Sequence, residues 1–439
     1  MHGNMRYVKL AWIGLALAVT GLLPARAEGE IVASTAAPGF LATAPDGTPR
    51  VSYIAGRTVN IARRAGGRWS SRRGGRVPAG KAFVAGLVVD RKGRSSVLVQ
   101  AENGSWLALG RSGGPVRVVA RPRKGASFGP AGLTLDSAGR PAFAYALRLG
   151  SGKTFLRLVT SDVRGRLRTT GITKAGFPAS GLAPGAAPVL VRGRLHVVET
   201  FTSGAIDWQP QRKGTWVGQF LFSSPLGSPT GRVAAAAAGG TLWSAWTQLS
   251  SETISVFLSE SAATQDTNVI LEHGIFVSLF LSAGRPELGA YDWVQIGDWF
   301  TYAGVVADDS GPVAELDGRL DGYAVTRDGH RQILLSSANR LEWFETPSRP
   351  SVKVSLTADG SGNISGRVDG AAGGTVQVYR ETPTSPRTLV ATVPLAADGS
   401  FAAVDAPPTS LTLYRAVYVD AATGVPYAAL LRTPVGPGA

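Results

Sequence analysis

Cysteine is absent from the 439 residues of the chain. Its absence excludes disulfide bonds, thiolate metal sites and cysteine nucleophiles, so stability must come from the burial of apolar side chains. Charged residues are also scarce, at 17% against 44% hydrophobic residues, and this balance is not that of a disordered chain. Helical periodicity is almost missing. Short apolar runs alternate with Gly, Pro, Asp and Asn turns, which predicts an all-β protein.

Glycine and proline, by contrast, are plentiful, at 56 and 27 residues. Glycine recurs in one context, a polar turn followed at once by a short apolar strand, at spacings of 46, 46, 54 and 46 residues. These glycines are Gly47, Gly93, Gly139, Gly193 and Gly239. A sixth copy is expected at Ser310-Gly311-Pro312, with an insertion before it over His273 to Gly297.

Each copy contains about four short strands. In the second copy, Asn103-Gly104 is a two-residue turn favoured in hairpins, because both positions accept a positive φ. Four antiparallel strands in each such repeat are typical of the blade of a β-propeller. The sequence therefore predicts a six-bladed β-propeller over residues 28–346. A pair of β-sandwiches is the structural alternative.

A second unit is predicted beyond Thr346-Pro347-Ser348-Arg349-Pro350. Residues 351–439 contain about seven short strands with clean alternation, for example Gly374 to Tyr379 and Leu413 to Tyr418. This pattern predicts a small Ig-like or fibronectin-like β-sandwich. The segment resembles the Ig-like modules of secreted bacterial proteins, and the resemblance implies a spacer or an appendage that contacts cell wall or glycan.

The first 27 residues have the pattern of an export signal. Arg6 and Lys9 precede the uncharged run Leu10 to Leu23, which is too short for a comfortable transmembrane helix, and Ala25-Arg26-Ala27 is typical of a cleavage site. We therefore expect a Sec-type signal peptide over residues 1–27, cleavage near Ala27, and a secreted or envelope-associated protein. An uncleaved anchor is the alternative. No later stretch reaches 18 consecutive apolar residues, so no membrane span is expected after signal removal.

The most specific segment runs from Ile296 to Val325. It contains Gly297-Asp298-Trp299 and, after an apolar strand, Asp317-Gly318-Arg319. This order resembles the last blade of the sialidase-like, BNR-repeat (Asp-box) propeller superfamily, and the other blades are similar to that family in outline. The hairpins Gly66-Gly67-Arg68-Trp69 and Gly214-Thr215-Trp216 are similar to fragments of its Asp-box, whereas the F/Y-R-I-P motif of sialidases does not occur.

That resemblance implies a catalytic set in which a tyrosine pairs with a glutamate, an aspartate acts as acid, and arginines hold a carboxylate. The candidate catalytic residues are Asp298, Asp317, Arg319, Tyr302 and Glu252. Trp293 and Trp299 flank the same region, and together with Arg319 they are candidates for ligand binding, because an indole ring is a large apolar surface with a polar edge. For every one of these residues, a structural role in blade packing or in a hairpin is the alternative.

A calcium site is the one metal site that the sequence suggests. Its candidates lie in a carboxylate-rich stretch, and calcium prefers hard oxygen ligands. They are Asp308, Asp309, Asp317 and Asp321. Solvated hairpin carboxylates are the alternative explanation, and no other cofactor is expected.

The formal net charge of +15 hides a strong polarity along the chain. Residues 50–215 carry 29 Lys and Arg against 6 Asp and Glu, while residues 216–350 carry 7 against 15. Such a field attracts anionic polymers, so we expect a glycan or an acidic extracellular polymer as partner. No specific nucleic acid is expected, because no nucleic-acid-binding motif is present, and the protein is expected to be a monomer. Arginine-rich hairpin tips that serve solubility are the alternative.

These observations favour a secreted protein that binds extracellular or cell-envelope glycan without catalysis, because the architecture is whole while the sialidase motifs are reduced. An extracellular sialidase-like glycoside hydrolase is the first alternative, and a structural or adhesin-like envelope protein is the second. The axial pocket of the propeller discriminates between them. Three arginines, a Tyr–Glu pair and an aspartate around that pocket would favour the enzyme, and a mouth without them would favour binding.

Overall fold

The computed structural model describes residues 29–433, apart from 36, 112–113, 174–176, 179–183, 202–203, 224–227, 250–253, 261–266, 273, 338 and 372. The expected signal peptide over residues 1–27 lies outside the described residues. The described part of the chain is built almost entirely from β-strands, with one 3₁₀ turn at Arg212–Gly214. It contains no helix of the length and apolar character needed to cross a bilayer.

Strand β1 (Glu30–Ala33) is followed by four antiparallel sheets in chain order. Blade 1 consists of β2 (Gly39–Thr43), β3 (Pro49–Ala55), β4 (Thr58–Ala65) and β5 (Arg68–Arg76). Blade 2 consists of β6 (Ala82–Val89), β7 (Ser95–Ala101), β8 (Leu107–Arg111) and β9 (Arg117–Ala120). Blade 3 consists of β10 (Ser127–Phe128), β11 (Gly132–Leu135), β12 (Pro141–Arg148), β13 (Lys153–Ser161), β14 (Leu167–Gly171) and β15 (Phe177–Pro178). Blade 4 consists of β16 (Ala186–Val191), β17 (Arg194–Phe201), β18 (Gly204–Pro210) and β19 (Trp216–Ser223).

Three further sheets follow. Blade 5 consists of β20 (Ser228–Ala238), β21 (Thr241–Leu249), β22 (Ile254–Glu260) and β23 (Thr267–Glu272). Blade 6 consists of β24 (Gly274–Ser282), β25 (Arg285–Ile296), β26 (Trp299–Asp308) and β27 (Gly311–Asp317). Blade 7 has β28 (Arg319–Val325), β29 (Arg331–Ser337) and β30 (Arg340–Thr346), and β1 is its fourth strand.

The first strands of these sheets form a closed ring. Each inner strand contacts the inner strand of the next blade, in the order β2, β6, β11, β16, β20, β24 and β28, and β28 contacts β2 again. Seven antiparallel sheets around one axis form a β-propeller. The expectation of six blades is therefore wrong for the described chain, and so is the alternative of two β-sandwiches.

The sequence predicts one blade too few because of a single turn in blade 6. The turn between the first two strands of blade 6 is Ala283-Gly284, and Ala283 takes a φ of 50°, a conformation that non-glycine residues seldom adopt. The span 273–297, expected to be an insertion, instead supplies β24 and β25. Gly311 is the first residue of β27, the fourth strand of that blade, so the segment from Ile296 to Val325 covers parts of two blades rather than the last blade.

Blade 7 joins the two ends of the propeller. Strand β1 pairs with β30, with Glu30 opposite Trp343 and Ile31 opposite Glu342. Glu30 also accepts two hydrogen bonds from the guanidinium of Arg64 in blade 1, at 2.6 and 2.7 Å. Because a ring without a free edge exposes few unpaired backbone groups, this pairing closes the fold.

The remaining strands form a two-sheet sandwich. They are β31 (Lys353–Ala358), β32 (Asn363–Asp369), β33 (Thr375–Thr382), β34 (Ser385–Pro394), β35 (Ser400–Val404), β36 (Thr412–Val419) and β37 (Pro426–Thr433). One sheet has the order β31-β32-β35, and the other has the order β34-β33-β36-β37. The second sheet continues from the outer edge of blade 6, where Leu316 pairs with Tyr427, and one hydrophobic core runs from the sandwich into blades 6 and 7.

A buried carboxyl group lies in the core between blades 3 and 4. Glu199 is 4% exposed and accepts a hydrogen bond from the indole Nε1 of Trp208 at 2.9 Å. Burial raises the pKa of Glu199 to about 7, since the charged form loses its hydration, although the hydrogen bond from Trp208 acts in the opposite direction.

We expect Glu199→Gln to remove a pH-dependent component of stability. The raised pKa means that the folded state keeps the Glu199 proton up to about pH 7, so its stabilising effect is complete below the unfolded pKa of 4.5 and is lost as the pH rises through 7. At pH 8 the variant should therefore be more stable than the wild type by roughly 3 kcal/mol, and near pH 4.5 the two should be similar. Thermal unfolding from pH 4.5 to 8 measures this difference, with the exposed Glu102→Gln as control. A difference that does not change with pH would contradict the assignment.

Candidate functional site

A cavity of about 260 Å³ opens on the propeller axis where the inner strands begin. We call it the axial mouth. Its polar lining includes Arg232, Arg319, Asp321 and Tyr291, and its apolar lining includes Phe83 and Val277. The lining residues come from blades 1, 2, 5, 6 and 7 and from the chain just before β11, so the cavity exists only because the ring is closed.

β-Bulges direct several of these side chains. The register of β20 shifts between Thr230 and Val233, and the register of β28 shifts between Leu320 and Gly322. Arg232 and Asp321 lie within these two irregularities, and Val277 lies within a third, in β24. A bulge bends a strand and turns a side chain away from the regular alternation, which explains how inner strands bring charged groups to the axis.

The side chain of Arg232 crosses the mouth. It starts from blade 5, and its Nη2 donates a hydrogen bond to the carbonyl oxygen of Val84 in blade 2 at 2.6 Å. The guanidinium carbon lies 5.1 Å from the ring centre of Phe40 and 5.7 Å from that of Phe83, on blades 1 and 2. Among the described residues no carboxylate lies within ion-pair distance of it. Burial lowers the pKa of Arg232, as expected for a cation that lacks full compensation, but an arginine remains charged at neutral pH.

Arg319 and Asp321 form the second charged element of the mouth. Arg319 Nε donates to Asp321 Oδ1 at 2.8 Å, and the backbone N–H of Gly39 donates to Asp321 Oδ2 at 2.9 Å. The pair therefore ties blade 7 to blade 1. Burial raises the pKa of Asp321, while Arg319 and the Gly39 N–H act in the opposite direction. With Arg232 included, the mouth contains two cations and one anion.

Two tyrosines border this charged group. The rings of Tyr291 and Tyr302 pack edge to face, with centres 5.8 Å apart, and the guanidinium of Arg319 lies 5.7 Å from the ring of Tyr302. Burial raises the pKa of Tyr291. The hydroxyl of Tyr291 therefore keeps its proton at neutral pH and can donate or accept a hydrogen bond.

The described lining of the mouth contains a single carboxyl group. Hydrolysis generally needs two carboxyl groups, or a tyrosine activated by one, on either side of the reacting atom. Asp321 is the one carboxylate among the described residues that line the mouth, and its oxygens are occupied by Arg319 and Gly39. A guanidinium without an acidic partner is, by contrast, suited to a carboxylate or another oxyanion.

A Tyr–Glu pair does exist, but it is buried between two blades. Tyr323 donates a hydrogen bond to Glu287 Oε2 at 2.5 Å, and Arg331 Nη2 donates to Glu287 Oε1 at 2.6 Å. Tyr323 is 0% exposed in the core between blades 6 and 7, and burial, with Glu287 beside it, raises its pKa. This triad joins two blades and is inaccessible to a saccharide.

Asp317, a candidate from the sequence, lies where the propeller meets the sandwich. It accepts hydrogen bonds from Arg387 at 2.6 and 3.0 Å and from Arg415 at 2.9 Å, both on the sandwich. Arg415 is also paired with Glu381 at 2.8 Å and bonds Thr301 of blade 6. Two charges from the sandwich thus meet one from the propeller, which gives Asp317 a role in joining the two rather than in the axial mouth.

The other candidates are dispersed. Trp299 donates its Nε1 hydrogen to the carbonyl oxygen of Thr382 at 3.2 Å, on the sandwich. Trp293 packs edge to face against Phe300, with ring centres 5.3 Å apart, and Asp298 is exposed in the β25–β26 turn. Glu252 lies outside the described residues. Of the predicted site residues, Arg319 and the calcium candidate Asp321 line the mouth, and Tyr302 lies beside Arg319.

The four calcium candidates do not converge. Each aspartate has an arginine partner instead: Asp308 pairs with Arg349, Asp309 with Arg285, Asp317 with Arg387 and Arg415, and Asp321 with Arg319. Within the described residues, no group of three His, Asp or Glu side chains is arranged to hold a metal ion.

Comparison with known proteins gives distant structural likenesses. No protein-family model and no curated protein matches the chain. Among solved structures, AofleA from Arthrobotrys oligospora is 12% identical, with a TM-score of 0.43 over 73% of this chain and 91% of that one. A protein of unknown function from Dyadobacter fermentans is also 12% identical, with a TM-score of 0.43 over 64% and 98%. The Aleuria aurantia lectin, in complex with α-methyl-L-fucoside, is 13% identical, with a TM-score of 0.36 over 74% and 99%. At these identities and TM-scores the likenesses say nothing about the function of this chain. The assignment of the fold as a propeller is based on the order and contacts of its sheets.

The contact between propeller and sandwich gives a stability prediction. Glu381 is 1% exposed, so Arg415→Met should leave a buried carboxylate without its cation and destabilise the protein by roughly 3–5 kcal/mol. Removing both charges in Arg415→Met/Glu381→Met should restore most of that loss, because Asp317 keeps Arg387. Urea unfolding followed by tryptophan fluorescence measures both variants. A double variant no more stable than the single one would contradict the ion-pair account.

Proposed function

We propose that this protein binds an acidic glycan without catalysis, and that the axial mouth receives a carboxylate of that glycan. The observation that carries the proposal is Arg232, a half-buried cation that reaches across the propeller axis. Asp321 of the same mouth acts on Arg232 only through its field, and no carboxylate among the described residues lies within ion-pair distance of it. A bound carboxylate would supply the missing charge through the N–H donors that Val84 leaves unused.

The size and lining of the mouth support a small acidic unit. Pockets for drug-sized ligands enclose about 300–1,000 Å³. At about 260 Å³ the mouth suits one sugar ring at the end or at a bend of a chain. The rings of Phe83 and Tyr291 offer apolar surface beside the cation, a combination that suits a sugar carrying one negative group.

A secreted location and a role for the sandwich belong to the same proposal. The N-terminal sequence pattern supports export, and an extracellular glycan would then be accessible. We also propose that the sandwich is an Ig-like module of the fibronectin type, which is supported by its seven strands in the orders β31-β32-β35 and β34-β33-β36-β37. The Arg415 and Arg387 contacts with Asp317 would hold it at a fixed angle to the propeller.

We expect Arg232→Gln to weaken binding of trigalacturonate by at least about tenfold. A tenfold loss of affinity corresponds to about 1.4 kcal/mol, and one hydrogen bond to a charged group contributes about 1.5–3 kcal/mol. Isothermal titration calorimetry measures the affinity, and neutral galactotriose should bind weakly to both proteins. The matched control is Arg327→Gln, which removes the same charge from an exposed position and should leave the affinity unchanged.

Two results would contradict this function. Equal affinity of the wild type and Arg232→Gln for trigalacturonate would exclude the mouth as the receptor for the carboxylate. Turnover of acidic aryl glycosides that disappears in Asp321→Asn would favour the glycoside hydrolase instead.

A further inference from the structure

A second cationic cavity lies between blades 1 and 2. It encloses about 260 Å³ between strands β3, β4 and β5 of blade 1 and the β6–β7 turn of blade 2. We call it the arginine cleft, because its lining includes Arg50, Arg63, Arg72, Arg73 and Arg94. The β6–β7 turn follows the end of an inner strand, whereas the axial mouth lies where inner strands begin, so the two sites occupy opposite ends of the ring.

Like charges face each other directly in the cleft. Arg50 on β3 is the cross-strand partner of Arg63 on β4, an arrangement that destabilises a sheet. Arg50 is 6% exposed, and its Nη1 binds only neutral oxygens, those of Thr48 and Pro49. Burial lowers the pKa of Arg50, and the nearby Arg63 acts in the same direction although Asp46 opposes it.

Strands β3, β4 and β5 contain no carboxylate that could relieve this repulsion. Residues 50–76 include eight arginines and no aspartate or glutamate. Arg94 is paired with Asp90 at 2.7 Å, but no carboxylate in the described chain pairs with Arg63, Arg72 or Arg73. An unfavourable arrangement, such as facing arginines without a carboxylate partner, is expected mainly at functional sites. The missing negative charge therefore points to an anionic ligand.

The backbone holds these arginines on a fixed edge. Strand β5 is the outer strand of blade 1, and its register shifts opposite Val59 and Asn60, which leaves Gly74 without a partner in the ladder. The carbonyl oxygen of Gly74 accepts a hydrogen bond from the N–H of Val116 at 2.9 Å, which attaches this edge to blade 2. The exposed Arg72 and Arg73 therefore project from a strand that is anchored on both sides.

We propose that the arginine cleft binds the clustered oxyanions of an anionic polysaccharide and is a second site, independent of the axial mouth. Several guanidinium groups without partners suit several anionic groups in succession, which a polymer carries and a single sugar does not. No aromatic residue lines the cleft, and proteins that bind single-stranded nucleic acid stack bases on aromatic rings. This difference favours a polysaccharide over a nucleic acid.

The test uses a heparin dodecasaccharide as the probe, with the full chain and calorimetry at several salt concentrations. The cleft variant is Arg63→Gln/Arg72→Gln/Arg73→Gln, and the matched control is Arg117→Gln/Arg121→Gln/Arg123→Gln, three exposed arginines of the same total charge. The cleft variant should lose at least about tenfold in affinity and show a weaker salt dependence, and the control should lose much less. Equal losses would overturn the proposal, because they would assign binding to the overall field of the protein.

Two further readouts complete the test. Thermal unfolding should show the cleft variant at least as stable as the wild type at low salt, because relieved repulsion is the only expected change. A lower Tm would show that the arginines are structural and would overturn the proposal.

Competition by a (dT)20 oligonucleotide should be weak, and displacement of heparin at equal charge concentration would favour a nucleic-acid partner instead. The affinity of Arg232→Gln for heparin should match that of the wild type, which separates this site from the mouth.

Discussion

The pairing of β1 with β30 is the constraint on which the propeller depends. Most blades are four-stranded sheets formed by consecutive strands, whereas the last blade is completed only by a strand from the beginning of the chain. The ion pair of Glu30 with Arg64 and the edge-to-face contact of Trp69 with Trp343 connect that blade to blade 1. Closure also defines the axis, because side chains that start on opposite blades then point at one another.

Both candidate sites follow from the way the closed ring distributes charge. At the axis, Arg232 from blade 5 meets aromatic rings of blades 1 and 2 instead of an acidic group. At the other end of the inner strands, the arginines of blade 1 face one another across a cleft. In blades 6 and 7, by contrast, Arg285 is paired with Asp309 and Arg331 with Glu287. Both cavities therefore contain guanidinium groups that have no carboxylate within ion-pair distance among the described residues.

The sequence predicts the all-β class and the repeat of this structure, but not the number of blades. The all-β class and the repeat are visible, because polar turns with glycine at positive φ, as at Gly47 and Gly93, must separate paired strands. The blade count failed where Ala283 stands in a turn position that glycine or asparagine usually occupies. The turn glycines Gly239, Gly284 and Gly329 are in fact 45 residues apart, so the repeat continues through the span that was expected to be an insertion.

The candidate site was harder to predict, because its residues are distant in sequence and reach the axis through irregular backbone. Arg319 was found through its hairpin motif, whereas Arg232 belongs to no motif. One signal was present: Arg232 is the only charged residue in β20, which otherwise runs through a series of alanines. An isolated arginine in an inner strand of a propeller indicates a bulge or an axial group, but its position across from Phe40 and Phe83 follows only from the number of blades and ring closure.

The central claim is that Arg232 receives the anionic group of a ligand at the axial mouth. A crystal structure of the protein with bound trigalacturonate tests it most directly. The account predicts a uronate ring in the mouth, with its carboxylate oxygens within hydrogen-bond distance of the Arg232 guanidinium and the Arg319–Asp321 pair still intact. A saccharide bound elsewhere with the mouth empty, or bound in the mouth with its carboxylate turned away from Arg232, would contradict it.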